Sequence, residues 1–127
     1  MGKNKYILIY PDYGNAIFWV EDGNCIGGYS YLFLNENNEI DLSSIPELKD
    51  WFLDWESESL YHSNNWNDTQ WKEWWSRGYE ISKSVKALLG ASVELYYFSL
   101  KDPIWRVRPI DSNDGGLFNV GEPIKVE

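Results

Sequence analysis

The chemistry of this chain starts with its carboxylates. Glu47, Asp50, Asp54 and Glu58 recur every three or four residues. On a helix that spacing gathers them into one negative stripe, which weakens an isolated helix by about a few tenths of a kcal/mol per like-charged pair. Only Lys49 offsets them nearby. Such a stripe is either a solvated acidic face or a docking surface for something cationic. Carboxylates also work as acid/base pairs in glycoside hydrolysis, with tryptophan available to stack on a sugar, but no spacing here singles out a pair. His62 has no cysteine, serine or histidine neighbour in a nucleophile or metal pattern. Gly27-Gly28 and Gly115-Gly116 are isolated pairs rather than a phosphate loop, and HExxH, CxxC and GxSxG are absent. These residues predict a binding protein, not an enzyme, with no cofactor and no metal.

The stripe needs a helix to carry it. Ser44 to Ser59 reads as one amphipathic helix, with capping-box spacing between Ser44 and Glu47 and Pro46 in the first turn. Leu48, Phe52 and Trp55 follow the helical period toward a core, and Trp51 falls at its margin. A second, longer helix is expected after Asp68 as N-cap. Trp71, Trp74, Trp75, Gly78, Ile81, Val85, Leu88 and Leu89 keep its period, and Gly90 is placed to end it. Gly78 in mid-helix costs about 1 kcal/mol relative to alanine, which implies close backbone approach to a strand or to the first helix.

The rest of the chain reads as strands and turns. Tyr6 to Tyr10, ended by Pro11, is an apolar run suited to a central strand. Ala16 to Val20 makes its hairpin partner, and Tyr29 to Leu34 a third strand. Asn35 to Asn38 is a polar turn, after which Glu39 to Leu42 leads into the first helix. Ser92 to Leu100 and Pro103 to Ile110 complete a sheet of about five strands, with a short edge strand at Gly116 to Val120 as an option. The expected fold is α+β: a mostly antiparallel sheet with two helices packed on one face, in a single domain spanning 1–127. Trp66 lies in a polar loop, either folded back on the core or open to a partner.

Composition narrows the function classes. The chain has 127 residues, 43% hydrophobic and 24% charged, which suits one globular domain rather than disorder. Aromatic residues reach 17%, including 8 Trp and 9 Tyr, and such side chains favour both cores and interfaces. The net charge of -9 argues against nucleic acid and against an anionic membrane surface. The apolar run at Tyr6 is too short for a signal peptide's apolar region or a span, so a cytoplasmic protein is expected. One cysteine, Cys25, excludes an internal disulfide and suggests a small buried apolar group.

Charge is also segregated along the chain. From Asp12 to Asp68 the acids are Asp12, Glu21, Asp22, Glu36, Glu39, Asp41, Glu47, Asp50, Asp54, Glu56, Glu58 and Asp68, against Lys49 alone. From Thr69 to Ile110 bases outnumber acids. An acidic half that shares one surface would steer a cationic partner and hold it with aromatic anchors. Nucleases suit that description, because a cleft for a phosphate backbone must be cationic.

Three stretches carry a resemblance. They are Ile45-Pro-Glu-Leu-Lys-Asp-Trp-Phe-Leu-Asp-Trp55, Trp71-Lys-Glu-Trp-Trp-Ser-Arg-Gly78 continuing to Leu89, and Val93-Glu-Leu-Tyr-Tyr97. With the small size and acidic balance, the chain resembles bacterial immunity proteins of contact-dependent growth inhibition and related polymorphic toxin systems. The resemblance implies a cytoplasmic, non-enzymatic inhibitor that binds one cognate toxin domain. It supplies no residue-level motif. From the residues themselves, the expected interface is Glu47, Asp50, Asp54 and Glu58 as stripe, Trp51 and Trp66 as anchors, and Glu21, Asp22, Glu56 and Asp68 at the rim. The alternatives are a carbohydrate or small-ligand module using exposed tryptophan, and an adaptor subunit with an acidic docking face.

Overall fold

The apolar run at Tyr6 forms the strand on which the sheet is assembled. In the computed structural model, which describes residues 6–12, 14–21, 23–35, 37–59, 66–99 and 122–127, β1 (Tyr6–Asp12) pairs on both sides. It runs antiparallel to β2 (Ala16–Val20), with Ile7 opposite Val20 and Ile9 opposite Phe18. The turn between them uses Gly14 at φ 76° and Asn15 at φ 58°, two residue types that enter the left-handed region at little cost. Contrary to the expectation that Pro11 ends the strand, β1 continues through it. The register slips between Ile9 and Asp12, and at such an irregularity the missing proline N–H interrupts no regular ladder.

The sheet is larger than the sequence suggested. Its strand order is β5-β4-β3-β2-β1-β6-β7. The added members are β3 (Cys25–Gly27), β5 (Asn38–Asp41) and β7 (Ile124–Val126), beside β4 (Tyr31–Asn35) and β6 (Glu94–Tyr97). The β1·β6 pairing is parallel and the other pairings are antiparallel, so the sheet is mixed. The expected strand at 103–110 and the optional one at 116–120 lie outside the described residues.

A parallel neighbour needs a long crossover, and both helices lie in it. α1 (Pro46–Ser59) begins one residue too late for a Ser44–Glu47 box. Its entry is closed instead by Ile45 N–H donating to Leu42 O and Leu48 N–H to Ile45 O. α2 (Asp68–Leu89) is capped by Asn67 rather than Asp68: Gln70 N–H donates to Asn67 Oδ1, and Asn67 N–H to Gln70 Oε1. The box outcompetes the single cap because it satisfies two donors at once. Gly90 N–H donates to Lys86 O and ends the helix.

The core lies between helices and sheet. Leu48, Phe52 and Trp55 are buried as the period predicts, and so are Trp71, Trp74, Ile81, Val85 and Leu89. Leu88 is exposed, because it lies on the outer side of the last turn of α2. Cys25 is exposed too, on the short strand β3, correcting the buried role expected for it.

Trp51 joins the helices. Its Nε1–H donates to Trp74 O at 2.9 Å, and Trp74 Nε1–H donates back to Trp51 O at 2.8 Å. The indoles stack with centroids 4.6 Å apart and planes 4° from parallel. A helical carbonyl has a second lone pair beyond its ladder bond, so each indole finds a partner without opening a helix. Gly78 makes this possible. A Cβ there would lie 2.5 Å from Cε2 and Nε1 of Trp51 and against the Tyr97 hydroxyl. Both predicted reasons for the glycine hold at once: α1 and β6 approach it together.

Gly78→Ala gains about 1 kcal/mol of helix propensity but must displace an indole pinned by two hydrogen bonds. We expect a net loss of about 2 kcal/mol in urea denaturation. A gain in stability would show that the clasp yields.

Candidate protein-binding surface

The carboxylate stripe sits on α1 because the opposite face of that helix is apolar. Glu47 and Asp50 are exposed and make no ion pair among the described residues. Asp54 is half-exposed, and Arg77 of α2 donates to its Oδ2 at 2.9 Å. That charge is therefore met by the chain itself. The role of Arg77 is set by tertiary packing. Its place on the α2 flank follows from the helical period, but its partner lies 23 residues back and only the packing of the helices reveals it.

The other expected residues scatter. Trp51 is 1% exposed and cannot anchor a partner, because its ring and N–H are committed to Trp74. Trp66 is half-buried, edge-on to Trp71 at 4.8 Å, so the alternative in which it folds back on the core is the one realised. Glu56 lies nine residues beyond Glu47, about two and a half helical turns, and so projects from the other flank of α1. Glu21 occupies the turn after β2 and, with Glu94 and Glu122, surrounds Tyr6. Burial and then these carboxylates push the Tyr6 phenol above its ordinary pKa. Asp22 lies outside the described residues. Glu58 falls in the last turn of α1 and Asp68 opens α2, but their side chains are outside the description.

What remains is narrower than the full stripe. Glu47 lines a groove shared with α2 and Asp54 meets Arg77, while Asp50, three and four residues from them, is their exposed neighbour on the helix surface. A shallow groove between the helices has Ile45 and Ile81 as its floor and Glu47, Arg77, Glu80 and Ser84 as its walls. Glu80 is shared with Lys83 at 3.2 Å, and Lys83 also lies over the Tyr79 ring. Lys49 lies on the far flank over Tyr29, so it does not neutralise the stripe. This surface offers charge and hydrogen-bond acceptors for a cation, but no exposed indole. Among the described tryptophans none is exposed: Trp19, Trp66 and Trp75 are half-buried and the others buried. No described helix is long and apolar enough to cross a membrane.

The Arg77–Asp54 pair is about half exposed on both sides, so it is screened by water. We expect Arg77→Met to change stability by less than about 1 kcal/mol in thermal denaturation. A larger loss would mean that the pair, not the tryptophan clasp, holds the helices together. Compared with known proteins, the chain matches no family model, no curated protein and no solved structure.

Proposed function

We propose that this chain is an immunity-type inhibitor that binds and covers a cationic toxin domain, of the nuclease class, through the α2-facing flank of α1. The observation that carries the proposal is the state of Glu47 and Asp50. Both are exposed and lack an ion partner among the described residues. Both also sit on a helix whose orientation is locked by the Trp51–Trp74 clasp. A helix already fixed in place spares a partner the cost of ordering the backbone that carries these carboxylates, leaving only their side-chain rotamers to be ordered. The net charge of -9 adds a long-range field that draws in a cationic domain. A cleft built for a phosphate backbone supplies that cationic complement, and an acidic surface seated in it would exclude the nucleic acid.

The role needs binding, not turnover. Specificity would come from the groove, where Arg77 lies between Glu47, Asp54 and Glu80. A mixed pattern of this kind admits a partner that presents cations to the carboxylates and a carboxylate to the guanidinium. It rejects a uniformly basic surface, such as a histone-like tail, which would leave Arg77 facing a like charge.

The test is co-expression with the C-terminal domain of a secreted toxin encoded immediately upstream, read as rescue of growth, followed by association kinetics on the purified pair. The double variant Glu47→Lys/Asp50→Lys should keep the native circular dichroism. It should associate about tenfold more slowly at low salt. The gap should close as the Debye length shortens from about 30 Å at 0.01 M to about 8 Å at 0.15 M. Unchanged association at low salt would overturn the surface assignment, and failure to rescue growth would overturn the function.

A further inference from the structure

The outer face of the β4–β5 hairpin holds an aromatic and acidic pattern that α1 lacks. Tyr31 faces Asp41 across the strands, and Phe33 faces Glu39. Directly opposed residues share a face, so these four side chains form a two-by-two block. The alternate residues Leu32 and Ile40 point the other way, and Leu32 is fully buried. Phe33 is 40% exposed, the tyrosine and phenylalanine rings meet edge-on at 5.4 Å, and Glu39 and Asp41 are exposed. Among the described residues no lysine or arginine pairs with either carboxylate or lies over either ring. Ser43 N–H donates to Asp41 Oδ1 at 2.9 Å, and this bond holds the Asp41 carboxyl below its ordinary pKa, so it stays charged.

β5 is also the end of the strand order, so one side of its backbone has no strand beside it among the described residues. An open edge is a template for strand addition, and the side chains on it decide what is added. A second copy of β5 would set carboxylates against carboxylates and is repelled. A strand with cations at alternate positions meets Glu39 and Asp41 with opposite charge, while its guanidinium or ammonium groups reach the Tyr31 and Phe33 rings.

We propose that the open edge and outer face of the β4–β5 hairpin form a second docking surface, which takes an extended basic protein segment carrying arginine or lysine at every other residue. The surface is distinct from the flank of α1, and the inference does not depend on the toxin reading. Main-chain hydrogen bonds to β5 give the segment its direction and register. The period of two in its cations gives selectivity, because a segment with adjacent cations would turn one of them to the face of Leu32 and Ile40.

The probe is a short capped synthetic peptide alternating arginine and valine, titrated into the labelled full chain and followed by amide chemical shifts. We expect shifts centred on residues 31–41. The Glu39→Lys/Asp41→Lys variant should weaken binding about tenfold or more, and Phe33→Ser by a smaller factor. The same arginines placed in adjacent positions should bind more weakly than the alternating peptide. All three substituted positions are exposed, so both variants should keep the native melting temperature to within a few degrees. Absence of hairpin shifts at millimolar peptide would overturn the proposal. So would binding that the charge reversal leaves intact, equal binding of the two peptides, or shifts centred on α1.

Discussion

The reciprocal clasp between Trp51 and Trp74 is the interaction on which the rest of the molecule depends. Two indoles stack in parallel, and each gives its N–H to the backbone of the other helix. Stacking alone would leave the helices free to slide along the ring planes. The two hydrogen bonds remove that freedom, because each ties an indole to one carbonyl on the facing helix. A buried donor left unmade costs about 1–3 kcal/mol, so a shift in register is penalised twice. Gly78 supplies the space, and Tyr97, whose hydroxyl donates to Trp75 O at 2.7 Å, continues the contact into the sheet.

That constraint sets the electrostatics. Once α1 is fixed in rotation, Asp54 must face α2, where Arg77 meets it, while Glu47 and Asp50 are left to solvent. The crowding of acids in the N-terminal half of the sequence does not become one continuous patch. It divides among the flank of α1, the outer face of β4–β5, and the end of the sheet around Tyr6. Each part carries a different companion: a groove with an apolar floor and charged walls, a half-buried tyrosine beside an exposed phenylalanine, or a stacked tyrosine pair formed by Tyr6 and Tyr96. A negative chain is thus resolved into chemically distinct surfaces.

The topology explains the position of the hairpin. β1 takes β6 on one side as a parallel neighbour, so strands β2 to β5 are laid out in sequence order on the other. The chain turns back at each step and exhausts itself at β5, just before Leu42 and Ile45 carry it into α1. Among the described residues β5 ends the strand order, and its acidic side chains would set carboxylate against carboxylate if two copies of this edge paired.

Much of this was legible in the residues. Helical periodicity located both helices, the inward Leu48, Phe52 and Trp55, and the reason for Gly78, because burying one face of a helix leaves a period that survives in any fold. A continuous apolar run located β1, and stretches rich in β-formers located β2, β4 and β6. β3, β5 and β7 escaped notice because each is only three or four residues long, and pairing with a neighbour rather than local preference makes them strands. The sequence by itself determined the α+β class, the acidic balance and the rows of carboxylates. Only the tertiary structure decided that Trp51 turns inward, that Arg77 meets Asp54, and that Tyr31 and Phe33 stand beside Asp41 and Glu39. The physical reason is the same in each case. These are contacts between elements, and residues far apart or in different strands carry no local signal of the register in which packing will bring them together.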